Sequence, residues 1–221
     1  MRVVVAGAHG QVARRLGRLL SGRGDTVVGI IRNAGHAADL TVDGVEPVVL
    51  DLEAASVDEV TGVVSGADAV VFAAGAGPGS GLARKDTVDR AAAVLLADAA
   101  ERAAVRRYVL VSSMGVNAVA DGATPADMDE VFVAYLRAKL AAEQDLLARP
   151  ELDTSVLRPG GLTDDAGTGR VTLARRVERG SVPRDDVAAV LMALLDRPGG
   201  GAVLELVAGS TPVDEAVTAV G

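Results

Sequence analysis

The chain has 221 residues, long enough for one domain to bury a sizeable core. Apolar residues make up 49% of it and aromatics only 2%, so the core must be built from Val, Leu and Ala, as where helices pack on parallel strands. A formal net charge of −8 with scattered basic residues argues against nucleic acid as a partner, and the absence of cysteine excludes disulfides and thiolate chemistry.

Two histidines in dissimilar surroundings offer no metal constellation. No stretch approaches the roughly 18 uninterrupted apolar residues of a membrane span, and the N-terminal apolar run is too short for a signal peptide. A cytoplasmic location with no membrane partner is expected.

Arg2-Val3-Val4-Val5-Ala6 is apolar and β-branched, and reads as a first strand. Gly7-Ala8-His9-Gly10-Gln11-Val12-Ala13 follows at once and opens an amphipathic helix over residues 11–21. Glycine lets the backbone turn tightly and approach phosphates, and free N–H groups at a helix start face negative charge. The small Ala13 keeps the helix close to the sheet. Between a buried strand and a helix, this turn points to a dinucleotide diphosphate, with Gly7, His9, Gly10, Gln11 and Val12 as contacts.

Further strands are expected at residues 26–31, 46–50, 69–72, 108–112, 154–157 and 203–207. Helices are expected at 57–64, 87–102, 130–148 and 184–196. This alternation predicts an α/β fold, one domain over residues 1–221, with a doubly wound parallel sheet flanked by helices and ligands at the carboxyl ends of the strands. The glycine-rich stretches 75–81 and 167–169 are loops at such ends.

Each strand end carries a chemical suggestion. The second strand ends at Arg32, where an acid would select NAD through the ribose hydroxyls. A guanidinium there suits a 2′-phosphate instead, which points to NADP, with NAD the second choice. Arg14 and Arg15 read as surface arginines near the same patch. At the third strand end, Asp51 accepts from the adenine amino group while Leu52 covers the ring, or Asp51 caps the next helix; both readings stand. Ala73, Ala74 and Gly75 let a cofactor lie against the backbone, or simply pack closely.

The fifth strand ends in Ser112-Ser113, and Tyr135 and Lys139 share one face of a downstream helix. An ordinary phenol titrates near pH ~10, and a neighbouring ammonium favours the phenolate. A serine hydroxyl can hold a substrate oxygen while a phenol exchanges the proton. The plainer reading has Tyr135 filling a core edge. Leu157-Arg158-Pro159-Gly160-Gly161-Leu162 ends the sixth strand, and in such a sheet Pro159, Gly160 and Leu162 lie beside a nicotinamide. Residues 181–188 read as a structural helix start, with Asp185 and Asp186 at its positive end.

Together these motifs resemble the short-chain dehydrogenase/reductase superfamily, in its small atypical NAD(P)H-binding, epimerase/dehydratase-like branch. They occur in the expected order over nearly the whole chain, with Ala13 in place of the usual third glycine. The resemblance implies a Rossmann fold holding NADP in the strand-end crevice. It also implies that Lys139 bonds the nicotinamide ribose, Tyr135 is the acid/base, and Ser113 orients the carbonyl, with Ser112 as the alternative.

The expected function is an NADP(H)-dependent oxidoreductase acting on a small carbonyl, quinone or flavin-like acceptor, as monomer or homodimer. The alternatives are a non-catalytic NADP(H)-binding redox sensor and, ranked last because the chain is too short for a separate substrate domain, an NAD-dependent sugar-nucleotide epimerase/dehydratase. Specificity is expected in residues 75–83, 117–133 and 162–176, the second a candidate lid.

Overall fold

The computed structural model describes residues 1–77, 79–197 and 200–220. Pro78, inside the glycine-rich 75–81 stretch, lies outside the described residues, as do Pro198, Gly199 and Gly221.

The first strand, β1 (Arg2–Ala6), sits inside the sheet with Val3, Val4 and Val5 all buried. Successive side chains of a strand point to opposite faces. Val3 and Val5 therefore join Leu16 and Leu20 of α1 (Gln11–Arg23), while Val4 and Ala6 meet the opposite layer. Burial on both faces explains the unbroken apolar run.

The chain then forms β2 (Thr26–Ile31), α2 (Ala37–Val42), β3 (Glu46–Val49), α3 (Val57–Val64) and β4 (Ala69–Phe72). A continuous helical stretch follows: α4 (Leu82–Arg84), a π-helical segment (Lys85–Ala91) and α5 (Ala92–Arg102). Next come β5 (Arg107–Val111), α6 (Glu130–Leu147), β6 (Asp153–Pro159), β7 (Gly161–Thr163), β8 (Arg170–Ala174), β9 (Ser181–Pro183), α7 (Arg184–Leu195), β10 (Ala202–Ala208), β11 (Thr211–Pro212) and α8 (Val213–Ala219).

The main sheet has nine strands in the order β11-β8-β10-β6-β5-β4-β1-β2-β3. From β10 to β3 every pairing is parallel, whereas β8 runs antiparallel to β10 and β11. A separate parallel pair joins β7 and β9. The helices α1, α7 and α8 cover one face and α3, α5 and α6 the other. This is the doubly wound Rossmann-type arrangement expected from the alternation. The winding reverses between β1 and β4, which opens a crevice at their carboxyl ends.

Alanine permits the close helix packing that so few aromatics require: Ala92, Ala93, Ala97, Ala99 and Ala100 of α5 are all buried. The helix expected from residue 87 starts earlier, at Leu82, because the π-helical turn blurs the 3.6-residue period. The elements α2, β7, β8, β9, β11 and α8 are additions to the expected set. In β8 an alternation is visible, with Val171 and Leu173 buried and Arg170 and Thr172 exposed. Asp51 is not the cap of α3. That role belongs to Ser56, whose hydroxyl accepts from the Glu59 amide at 3.3 Å while the Glu59 carboxylate accepts from the Ser56 amide at 2.8 Å. Asp51 instead accepts from the Glu53 amide at 3.1 Å. No helix among the described residues is long and apolar enough to cross a membrane.

One buried polar network ties β5, β6 and α6 together. Arg158 Nε donates to the two Glu143 oxygens at 3.0 and 3.2 Å, and Ser112 donates to the same carboxylate. Arg158 also donates to Asn117 Oδ1 at 3.2 Å. Removing one partner of a buried ion pair strands the other charge. Glu143→Ala is therefore expected to lower the unfolding free energy by about 3–5 kcal/mol, read from urea denaturation.

Candidate functional site

Gly7 adopts a left-handed backbone (φ +75°), and a Cβ built there would stand 2.5 Å from Ala74 Cα. Only glycine lets the β1–α1 turn lie this close to the chain leaving β4. The Gly10 amide closes the turn on the Gly7 carbonyl at 2.9 Å, and α1 begins directly after it. No side chain caps α1 and its first turn has no acid, whereas Ser56 caps α3 and Asp129 caps α6. The uncapped amides fit the diphosphate of a dinucleotide.

Two clefts meet over this turn. A cleft of about 380 Å³ is lined by Gly7, His9, Gly10, Arg32, Asp51, Leu52 and the 73–75 segment. A larger one of about 620 Å³ is lined by Gly10, Gln11, Val12, the same 73–75 segment, Ser112, Tyr135, Lys139, Pro159 and Leu162. The first gathers the residues expected around an adenosine, and the second those expected beside a nicotinamide and substrate.

Two sequence-derived candidates stand apart from both linings. Ser113 donates its hydroxyl to the Met114 carbonyl at 3.0 Å, and the strand pleat brings Ser112 to the cleft instead. Gly160 has a packing reason of its own, since a Cβ there would stand 2.3 Å from the Gly180 carbonyl oxygen.

On the adenosine side, Arg32 is exposed and its Nη1 donates to Glu53 at 3.1 Å. Glu53 also accepts from Arg84 at 2.6 Å and from Thr87 at 2.6 Å. The Arg84 and Thr87 hydrogen bonds hold its carboxyl below the usual range. Neither Glu53 nor Arg84 stands in a sequence motif; the fold alone brings them to the cleft. The two histidines are not in dissimilar surroundings after all. Their rings stack at 3.6 Å at the cleft mouth, and His9 Nε2 lies 2.8 Å from Asp39. The hydrogen bond to His9, helped by the nearby Arg14, holds the Asp39 carboxyl below its usual range.

On the larger side, α6 presents Tyr135 and Lys139 one turn apart. Asp129 starts that helix by accepting the amides of Val131 and Phe132 at 2.9 and 3.1 Å. Lys139 is buried and donates to the carbonyls of Val111 at 3.1 Å and Ala74 at 3.4 Å. Asp89, on the π-helical turn and fully buried, brings Oδ1 within 3.3 Å of the ammonium without hydrogen-bond alignment, so their attraction is Coulombic. The Lys139 Nζ lies 5.8 Å from the Tyr135 ring centre.

Tyr135 is half-buried, and its hydroxyl has no hydrogen-bond partner among the described residues. The other tyrosine, Tyr108, is fully buried, donates to the Ala93 carbonyl at 3.0 Å, and has its phenol pushed well up by burial. Tyr135 is thus the phenol that reaches the cleft. Sequence reasoning missed Asp89 and Lys85, both on the π-helical turn and both in the cleft wall. The helical period visible from residue 87 gave no reason to single them out.

Residues 7–198 match a family described as NAD(P)H-binding. The chain is 32% identical over 219 residues to a protein of Bacillus subtilis named uncharacterized sugar epimerase YhfK, covering 98% of this chain and 99% of that one. It superposes with a TM-score of 0.89 on a Bacillus halodurans protein described as a putative NAD-dependent epimerase/dehydratase, at 32% identity and full coverage of both chains (100% each). ChuY of Escherichia coli O157:H7, described as an anaerobilin reductase, superposes with a TM-score of 0.78 at 28% identity, over 94% of this chain and 97% of that one. The chain belongs to the NAD(P)H-binding family, in the atypical branch of the short-chain dehydrogenases/reductases.

Proposed function

We propose that this chain is an NADP(H)-dependent oxidoreductase that reduces a small carbonyl, quinone or flavin-like acceptor, with residues 1–221 acting as one unit. The supporting observation is that Tyr135 and Lys139 line the same cleft as the uncapped start of α1. When bound, NADPH supplies the hydride.

The protein's own residues handle the proton. The Tyr135 hydroxyl, otherwise unpartnered among the described residues, bonds the acceptor oxygen and releases its proton to it. Lys139, pinned by the Val111 and Ala74 carbonyls, keeps a fixed positive charge beside the phenolate that results. Ser112, held by Glu143, is the serine we assign to the cleft wall; its hydroxyl proton points at that carboxylate, so Tyr135 orients the acceptor. Arg32 turns from Glu53 toward a 2′-phosphate, the assignment that favours NADP over NAD. The reductase named among the relatives agrees with this reading.

The names of the two Bacillus relatives favour a second reading, sugar epimerisation. Arg32, standing where an NAD-selecting acid would, weighs against it. Interconversion of a nucleotide sugar without net NADPH oxidation would establish it in place of the first.

With NADPH and a panel of aldehydes, quinones and flavins, the purified protein is expected to oxidise the cofactor. Tyr135→Phe is expected to lower kcat by about 10²–10⁴-fold at similar NADPH affinity. An unchanged rate in that variant removes the phenol from the chemistry, and tight binding with no turnover of any acceptor supports a redox sensor. By calorimetry, Arg32→Ala is expected to weaken NADPH binding about 10–100-fold, the worth of a charged hydrogen bond, with a much smaller effect on NADH. Equal losses for both nucleotides would refute the selectivity assigned to Arg32.

A further inference from the structure

Tyr135 is flanked by two ammonium groups, and they are compensated differently. Lys139 has the Asp89 carboxylate at 3.3 Å and two carbonyls as acceptors. Lys85 is 8% exposed, yet among the described residues its polar contact is a single carbonyl, that of Gly77 at 3.1 Å. Among the described residues it has no carboxylate partner. Its Nζ stands 5.5 Å from the Tyr135 ring centre, closer than that of Lys139.

An ammonium carries three donors and a full charge, and burying it without a counter-charge is costly. The other charges of this cleft do not compensate Lys85. Arg184 donates to Asp164 at 2.9 Å, and Asp129, whose Oδ1 accepts the first amides of α6, makes no ion pair with Lys85. Lys85 lines the cleft of Tyr135 and not the adenosine cleft of Arg32, so its charge faces the acceptor rather than the 2′-phosphate. Phe132, 43% exposed and stacked on Tyr135 at 5.7 Å, gives the same cleft an apolar wall.

We infer that Lys85 is a specificity-determining residue that receives a carboxylate of the acceptor, next to the oxygen that Tyr135 protonates. The substrate class is then a carbonyl or quinone compound with an apolar body and a carboxylate a few bonds from the reacting carbon. This inference rests on the oxidoreductase reading and names the substrate of that same cleft.

The test is a binding measurement that needs no turnover. Protein saturated with NADP⁺ is titrated by calorimetry with 4-acetylbenzoate and with its uncharged methyl ester. The wild type is expected to prefer the carboxylate by about 10–100-fold, the range of a charged hydrogen bond. Lys85→Met and Lys85→Gln are each expected to reduce that preference to about two-fold or less, and Lys85→Arg to retain most of it.

A role limited to holding the Gly77 loop would weaken carboxylate and ester alike, leaving the ratio unchanged, and this outcome overturns the proposal. So does a wild type that does not prefer the carboxylate, including one that binds neither compound. Loss of NADP⁺ affinity in the variants with the ratio intact reassigns Lys85 to the cofactor. NADPH oxidation is assayed separately: a protein that shows the carboxylate preference but reduces nothing refutes the oxidoreductase reading and leaves the anion site standing.

Discussion

The placement of the buried Lys139 ammonium governs the rest of the site. Its contacts come from three separate segments: the end of β5 through the Val111 carbonyl, the chain after β4 through the Ala74 carbonyl, and the π-helical turn through the charge of Asp89. A lysine has three N–H donors, so this one charge fixes α6 against the sheet and against the helix beside it. Buried charge persists only where it is compensated, and here the compensation doubles as positioning. Tyr135 lies one turn earlier on α6, so its ring is set over the cleft by the same contacts. The Glu143–Arg158 pair repeats the device one turn later on α6, where it holds Ser112.

Much of this was legible because the chain uses short-range signals faithfully. The β1–turn–α1 unit needs Gly7 for its backbone sign, two layers of apolar side chains for β1, and a helix start without an acid; all three are visible in residues 2–20. Residues 26–31, 57–64 and 69–72 form the elements expected of them, residue for residue. Two features were not legible, for different reasons. Period-based reading assumes 3.6 residues per turn, and the π-helical segment breaks that period where Lys85 and Asp89 turn inward. Contacts between residues far apart in sequence, such as Arg32 with Glu53 and His9 with His36, depend on how two loops meet over the sheet.

The two halves of the crevice differ in electrostatic character. The Arg32 side holds solvent-facing pairs: Arg32 is more than half exposed (55%) and shares Glu53 with Arg84. Such pairs contribute little to stability and exchange partners cheaply when an anion arrives. The Tyr135 side holds buried charges fixed by backbone carbonyls. Recognition of a cofactor tail tolerates rearrangement, whereas proton transfer requires groups already in place.

Both margins of the nine-stranded sheet are short and bear proline: Pro47 in β3 and Pro212 in β11. A proline removes one amide from the row that a neighbouring chain would need, and a brief outer strand offers few rungs. Two copies of this protein therefore cannot readily join their sheets side by side. A strand added at either margin would find few amides to pair with.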